Sequence, residues 1–481
     1  VKHGWAFLAE ITRAIEAWSV DVQAHDPLGF TYRGADLRHA AERALFFVLA
    51  NDTTLLTYFD ALADGLPLPV LRPTAYRNMI LPYFGKHIPP DVVPRRATPW
   101  GRRLRSGLGN LSRLGRKPFR TARLKSADFL FLAIHPKFVS FMAPVAQELG
   151  GAFLSFNDPI VEDHLEHKEL ASVALQPCYS SGNRISSVLW HFVFLCRAFD
   201  EMAAMMDELR PRVILVPEGN APIHEIAHRA GQQRGVKTVC LQQGAPAYTN
   251  PGFRNWTFAD VLVWGEAFVD PFARHNPRQH FSVVGTPAML PAPRNDRPDA
   301  PIRSIGFFLQ KGIIVIPHEE WRALLHFIGW TASTYPAIQV IVRDHPSQGP
   351  LSAAERAIIG DAPNLRFMPP SQYTLNDVLT ACDMAVAAAS TTLLEAVQAG
   401  AIPFIFGNAY PKDFPDLVAS GAGVLAQDLG AAKAALARLV ENDARRADLR
   451  SAGTVMRPML FATSGPEGVA RIAAALKAMA G

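Results

Sequence analysis

The sequence is poor in cysteine and lacks any long apolar run. Its four cysteines, Cys178, Cys196, Cys240 and Cys382, stand apart, with no Cys-x-x-Cys pair and no metal-ligand spacing. A disulfide framework or a structural zinc is therefore not expected, and a reducing compartment suits the chain. No stretch reaches the roughly 18 apolar residues needed to cross a bilayer. The opening Val1-Lys2-His3-Gly4 lacks the charged-then-apolar order of a secretion signal. A cytoplasmic place is expected, with peripheral association at the inner membrane as its one extension. Nucleotide signatures are missing too. There is no Gly-x-x-x-x-Gly-Lys-Ser/Thr loop, no Gly-x-Gly-x-x-Gly fingerprint and no Asp-x-Asp pair. These absences weigh against an ATPase, a dehydrogenase and metal-dependent sugar transfer, and the expectation is no metal and no cofactor.

Acids are absent from one long stretch. Between Arg95 and Lys125 every ionised side chain is basic, in a chain whose net charge is only +5. Such a block reads as a solvated linker, or as a surface for anionic lipid or nucleic acid. Trp100, Leu104, Leu108, Leu111, Leu114 and Phe119 are interleaved with its arginines, as in an interfacial amphipathic segment. No zinc-finger or RRM signature accompanies it, so among the functional readings the membrane surface is preferred and nucleic acid is not expected.

What is present is a globular composition, 49% hydrophobic and 19% charged over 481 residues, enough for two or three domains. The first 94 residues read as a helical appendage, with apolar residues at three- and four-residue spacing in "GWAFLAEITRAIEAW" and "DLRHAAERALFFVLA". Residues 95–125 are the basic linker or membrane segment. Over 126–290 strand-like runs alternate with helical ones: "DFLFLAI", "RVILVPEGN", "KTVCLQQG" and "VLVWGEAF". A proline-rich stretch near 290–302 separates these from a second series over 301–426, with "SIGFFLQ", "AIQVIVRDHP", "NLRFMP", "DMAVAAAS" and "IPFIFG". Residues 427–481 read as helices. Repeated strand-then-helix means parallel sheets covered by helices, hence two doubly wound Rossmann-like domains with a central cleft. Ligands in such sheets bind beyond the carboxyl ends of the strands.

Three strand ends of the second series carry the same chemistry. Gln310 and Lys311 follow "SIGFF", and Arg343-Asp344-His345-Pro346 ends "VIV". Ser390, Thr391 and Thr392 start a helix 45 residues after His345. A cation, an imidazole and a helix N-terminus round one crevice suit a nucleotide phosphate, and Glu395, one turn into that helix, suits ribose hydroxyls. The plainer readings are an N-cap for Ser390 or Thr391, an Arg343–Asp344 pair and a solvated Lys311. In "EDHLEHKE", His164 and His167 read as a charged helix face and not as metal ligands.

"RDHP" followed by "CDMAVAAASTTLLEAVQAGAIPFIFG" resembles the donor half of GT-B glycosyltransferases of bacterial surface-polysaccharide assembly. The likeness is to the CMP-sugar-dependent Kdo (3-deoxy-octulosonate) transferases and sialyltransferases of capsule and lipopolysaccharide synthesis. "VCLQQGAP", "FADVLVWGEAF" and "VVGTP" resemble the first domain and domain junction of that group, so the likeness spans about Asp128–Gly407. It implies a metal-independent enzyme taking a nucleotide-activated sugar, CMP-Kdo before other CMP-ulosonic acids, to a growing glycan, lipid-linked at the membrane. It implies that His345 and Ser390, Thr391 and Thr392 meet the donor phosphate, and that an acid of the first domain is the base. Glu218, which ends "VILVP" and precedes Gly219, is the candidate. Capping of the next helix is its bland role, and Asp260 and Glu266 are weaker candidates. Gln243-Gly244 departs from the His-Gly of many relatives, so no catalytic histidine is expected there. The alternatives are a teichoic-type glycerophosphotransferase, an epimerase-like nucleotide-sugar enzyme, and a basic scaffold or nucleic-acid binder that is not an enzyme.

Overall fold

The computed structural model describes residues 5–51, 119–121, 126–156, 164, 172–175, 188–293, 298–310, 315–346 and 349–481. The basic block lies outside these residues apart from Phe119–Thr121, and so do Lys311 and His167.

The chain begins with helix α1 (Trp5–His25), a two-strand turn of β1 (Thr31–Tyr32) and β2 (Ala35–Asp36), and helix α2 (Arg38–Asn51). This helical pair packs against the first α/β domain. Ile11, Ile15, Trp18, Ala40, Ala44 and Leu45 are buried in the same hydrophobic cluster as the first α/β domain. The short strand β3 (Phe119–Thr121) comes next, then β4 (Phe129–Ala133), α3 (Pro136–Leu149), β5 (Ala152–Phe156), β6 (Ser172–Leu175), α4 (Val188–Leu209), β7 (Val213–Pro217), α5 (Pro222–Gln232), β8 (Lys237–Leu241), β9 (Asp260–Val263), α6 (Val269–His275) and β10 (His280–Val283). The eight strands order as β10-β9-β8-β7-β4-β5-β6-β3. All neighbours are parallel except β3, which runs antiparallel to β6. Such strands are covered on both faces, which is why "VILVP" is apolar and buried at every position.

The second domain holds β11 (Ser304–Phe308), α7 (His318–Thr334), β12 (Gln339–Arg343), α8 (Ala353–Ile359), β13 (Leu365–Phe367), α9 (Leu375–Thr380), β14 (Met384–Ala387), α10 (Thr392–Ala399), β15 (Ile402–Phe406) and β16 (Val424–Ala426). Its six strands order as β13-β12-β11-β14-β15-β16, all parallel. Three helices close the chain: α11 (Leu429–Glu441), α12 (Asp443–Leu460) and α13 (Gly465–Ala480). They do not all stay with the second sheet. At the end of α12 the chain crosses back, where Ala462 N–H donates to Trp264 O at 2.9 Å and Phe461 packs on the Trp264 ring. Ile472 and Leu476 of α13 then join Phe131, Val139 and Leu215 in the core of the first domain. Two glycines permit this crossing. A Cβ on Gly265 would meet Met459 O at 2.2 Å, and one on Gly468 would meet Thr286 O at 2.1 Å.

Candidate active site

The strand order fixes where the chemistry sits. In the first sheet it reverses between β4 and β7, and in the second between β11 and β14. A doubly wound sheet opens a crevice at such a point, because the flanking helices leave to opposite faces.

At the first switch point the side chains are Lys137 and Glu218. Lys137 is the second residue of α3, whose start is set by Pro136 and by His135 Nδ1, which accepts from Lys137 N–H at 3.1 Å. Glu218 follows β7 directly and has φ of 60°, with φ of 68° at Gly219. The left-handed region costs a non-glycine residue roughly 1–2 kcal/mol. Gly219 has no alternative, since a Cβ there would meet Phe258 Cζ at 2.7 Å and Cys240 Sγ at 2.9 Å. The sharp turn places the Glu218 carboxylate at the carboxyl end of the sheet. Oε2 accepts from Asn220 Nδ2 at 3.1 Å, and Oε1 accepts from Lys137 Nζ at 3.3 Å. Lys137 Nζ also donates to Gln243 Oε1 at 3.2 Å, so Gln243 belongs to this group. Glu218 does not cap α5. The cap position is Ala221, and its N–H donates to His224 Nδ1 at 3.1 Å.

At the second switch point Gln310 and the Ala389-Ser390-Thr391 turn meet. Gln310 is buried and grips both backbone groups of Ala389 with the two ends of its amide. Nε2 donates to Ala389 O and Oε1 accepts from Ala389 N–H, each at 3.0 Å. Ser390 Oγ accepts from Thr392 N–H at 3.2 Å and donates to Thr392 Oγ1 at 2.9 Å. Thr391 occupies the cap position of α10 but makes no side-chain capping bond. The turn is thus built with Gln310 and Ser390, and Thr391 is left with its hydroxyl uncommitted to the helix.

Arg343 and His345 end the neighbouring strand β12. The Arg343 guanidinium, expected at the crevice, bonds backbone carbonyls through Nη1. It is buried, and Nη1 donates to Tyr373 O at 2.8 Å and to Met368 O at 3.4 Å, tying down the loop after β13. His345 is half-buried, and its pKa is pushed below the usual value by burial first, then by the charges of Lys137 and Arg343. Lys137 follows β4 and His345 follows β12, so each stands at the carboxyl end of its sheet. Glu395 of α10 is part-buried, and burial alone raises its carboxyl to about 7. No hydrogen bond or ion pair reaches that carboxyl from the described residues.

The weaker acids lie elsewhere. Asp260 opens β9 at the end away from the cleft, where its carboxylate is 3.5 Å from His280 Nδ1. Glu266 is exposed beside the α12 crossing. His164 bonds Ser140 Oγ at 3.1 Å, and among the described residues no group of three acidic, histidine or cysteine side chains converges as a metal set. Among the same residues no helix is long and apolar enough to cross a membrane. Sequence reasoning did not find Lys137 or the structural use of Gln310. The signal for Lys137 was its place two residues after a buried strand's polar exit, in "IHPK".

No protein-family model matches the chain, and no curated protein does. Solved structures match in fold. The calicheamicin glycosyltransferase CalG4 is 15% identical, with a TM-score of 0.51 over 74% of this chain and 98% of that one. A UDP-N-acetylglucosamine 2-epimerase is 12% identical, with a TM-score of 0.52 over 73% and 95%. The S. aureus MnaA structure with UDP is 11% identical, with a TM-score of 0.50 over 73% and 95%. At such identities the likeness is one of fold: two parallel-sheet α/β domains in the GT-B arrangement.

Proposed function

We propose that this chain is a glycosyltransferase that moves a sugar from a nucleotide-activated donor to a growing bacterial surface glycan. The observation that carries the reading is the pairing of the two switch points. A strained acid, Glu218, stands at one, and the Ser390-Thr391 turn, whose Thr391 hydroxyl makes no capping bond, stands at the other, with His345 following β12 of the same sheet. In this reading Glu218 takes the proton of the acceptor hydroxyl as it attacks the anomeric carbon. The charge left on the donor phosphate is met by His345, by the Thr391 hydroxyl and by the positive end of the α10 dipole, since the amides from Thr392 to Glu395 are already bonded to Ser390 and Thr391. Preorganised donors serve that task well. Gln310 and Arg343 hold the turn and the adjacent loop, and Glu395 faces the ribose. The reading assigns no step to a metal, and unchanged turnover after chelation is its expected mark.

The preferred donor is a CMP-linked ulosonic acid, Kdo first, on the strength of the motif resemblance described for "RDHP" and "ASTTLLEA". A lipid-linked acceptor and contact of the 95–125 block with anionic lipid belong to the same reading. Sedimentation with anionic and neutral vesicles tests that contact. A second reading is a nucleotide-sugar epimerase, favoured by the equal fold likeness to a 2-epimerase. Incubation of the pure protein with a panel of CMP-, UDP- and TDP-sugars, with and without glycan acceptors, separates the two. Acceptor-dependent release of nucleotide is the expected result. Turnover of a donor sugar without acceptor would favour the epimerase, and inertness of the whole panel would sink both.

A further inference from the structure

Lys137 is placed for a task that the free protein does not require of it. Its ammonium sits 3.3 Å from Glu218 Oε1 and 3.2 Å from Gln243 Oε1, and 4.6 Å from the centroid of the Phe138 ring. Both bonds are at the long end of the hydrogen-bond range, and the side chain is 49% exposed. An ion pair so wet contributes little to folding. The pair also occupies Oε1 of the candidate base.

Two neighbours show what the cation faces. His345, across the cleft, is held towards its neutral form by burial and by Lys137 and Arg343, and Arg343 is engaged with the carbonyls of Met368 and Tyr373. Lys137 therefore brings positive charge to the carboxyl end of the first sheet, beside Glu218. A carboxylate base repels any anionic oxygen that must lie next to it, and a mobile cation between them removes that repulsion.

We propose that Lys137 is a substrate-binding residue reserved for an anionic oxygen of the substrate, a phosphate or a carboxylate, lying beside the group that Glu218 serves. This rests on the glycosyltransferase reading and adds that the cleft takes its negative charge on the first domain as well as the second. When that oxygen arrives, Lys137 turns to it and frees Glu218 Oε1 to accept the acceptor hydroxyl.

Calorimetry on wild type, Lys137→Met and Lys137→Arg tests this with two sets of probes. CMP, UDP and TDP carry phosphate, whereas free Kdo and glucuronate carry only carboxylate, with neutral glucose as the control. Lys137→Met is expected to weaken at least one set on the order of tenfold, the size of one charge-assisted bond, and Lys137→Arg to restore most of it. Loss confined to the nucleotides identifies the donor phosphate, and loss confined to the sugar acids identifies a carboxylate. Equal affinities of wild type and Lys137→Met for every probe that binds would overturn the role of Lys137 alone. Wild-type protein that bound no nucleotide would instead overturn the glycosyltransferase reading beneath it.

Discussion

Arg43 of α2 and Glu225 of α5 form an ion pair at 3.3 Å with side chains only 1% and 0% exposed. The Glu225 carboxylate is held further by Arg229 Nε at 2.8 Å and by Thr257 Oγ1 at 2.7 Å. Burial raises its pKa, but Arg43 and then Arg229 outweigh this and bring it down to about 2. The N-terminal helices are thereby locked to the helix that starts four residues after Glu218. α1 also reaches the other domain, since Trp5 Nε1 donates to Ala409 O at 2.7 Å.

Arg43→Met is expected to destabilise the protein by about 3 kcal/mol, because removing one partner leaves a charge buried. Denaturant unfolding measures this. Adding Glu225→Leu should recover part of the loss, so the double variant should be more stable than the sum of the two singles. Strict additivity would mean that the pair does not couple α2 to α5.

Acid should loosen the same region through His224. That side chain is fully buried, and burial, then Arg43, lowers its pKa to about 3. Its unfolded value is near 6.5, so between these limits the unfolded chain binds the proton and the native protein does not. Stability from this group is present above pH 6.5 and is lost as pH falls towards 3. One such histidine costs about 2 kcal/mol between pH 7 and pH 5. The slope of stability against pH over this range should be shallower in His224→Asn by close to one proton. An unchanged slope would mean that His224 is protonated in the native state.

The alternating domains are legible in the sequence because parallel strands leave buried apolar runs that end in polar residues. Glu218, His345 and the Ser390–Thr392 turn can be found that way. The meeting of Lys137 and Glu218 cannot, because it depends on β4 lying next to β7 across 81 residues of chain. Periodicity marks α1 and α2 as amphipathic without saying what covers them, and Arg43 and Glu42 look like surface charges although both are buried. Arg343 is a related case. A basic residue at a strand's carboxyl end suggests a ligand, and only the loop at 368–373 shows that its partners are carbonyls.

Glu395 offers a test in which stability and binding move apart. Its folded pKa near 7 exceeds the unfolded value, so its contribution is fully present below pH 4.5 and falls as pH rises through 7. Glu395→Gln removes that cost and should gain about 1 kcal/mol relative to wild type on going from pH 6 to pH 8. Nucleotide affinity should fall in the same variant if the carboxyl accepts from ribose. A stabilised variant with unchanged affinity would remove Glu395 from the donor site.

Glu218→Gln separates chemistry from architecture. The amide keeps the length of the side chain and through its one oxygen can still accept from Lys137 or from Asn220, but it cannot take a proton. Loss of a general base lowers transfer by about 10²–10⁴-fold, while nucleotide affinity should hold, because the donor turn lies on the second domain. Stability should change little, since α5 is capped at Ala221 with His224 and not by Glu218. The left-handed backbone at residue 218 supplies an internal control. Glu218→Gly relieves that strain and should leave the fold at least as stable as wild type at this turn, yet it should be as inactive as Glu218→Gln. Measuring turnover, nucleotide affinity and thermal midpoint on both variants gives the answer. Full transfer by Glu218→Gln would end the assignment of the base and would show that the strained turn serves the alignment of Asn220 and Lys137 alone.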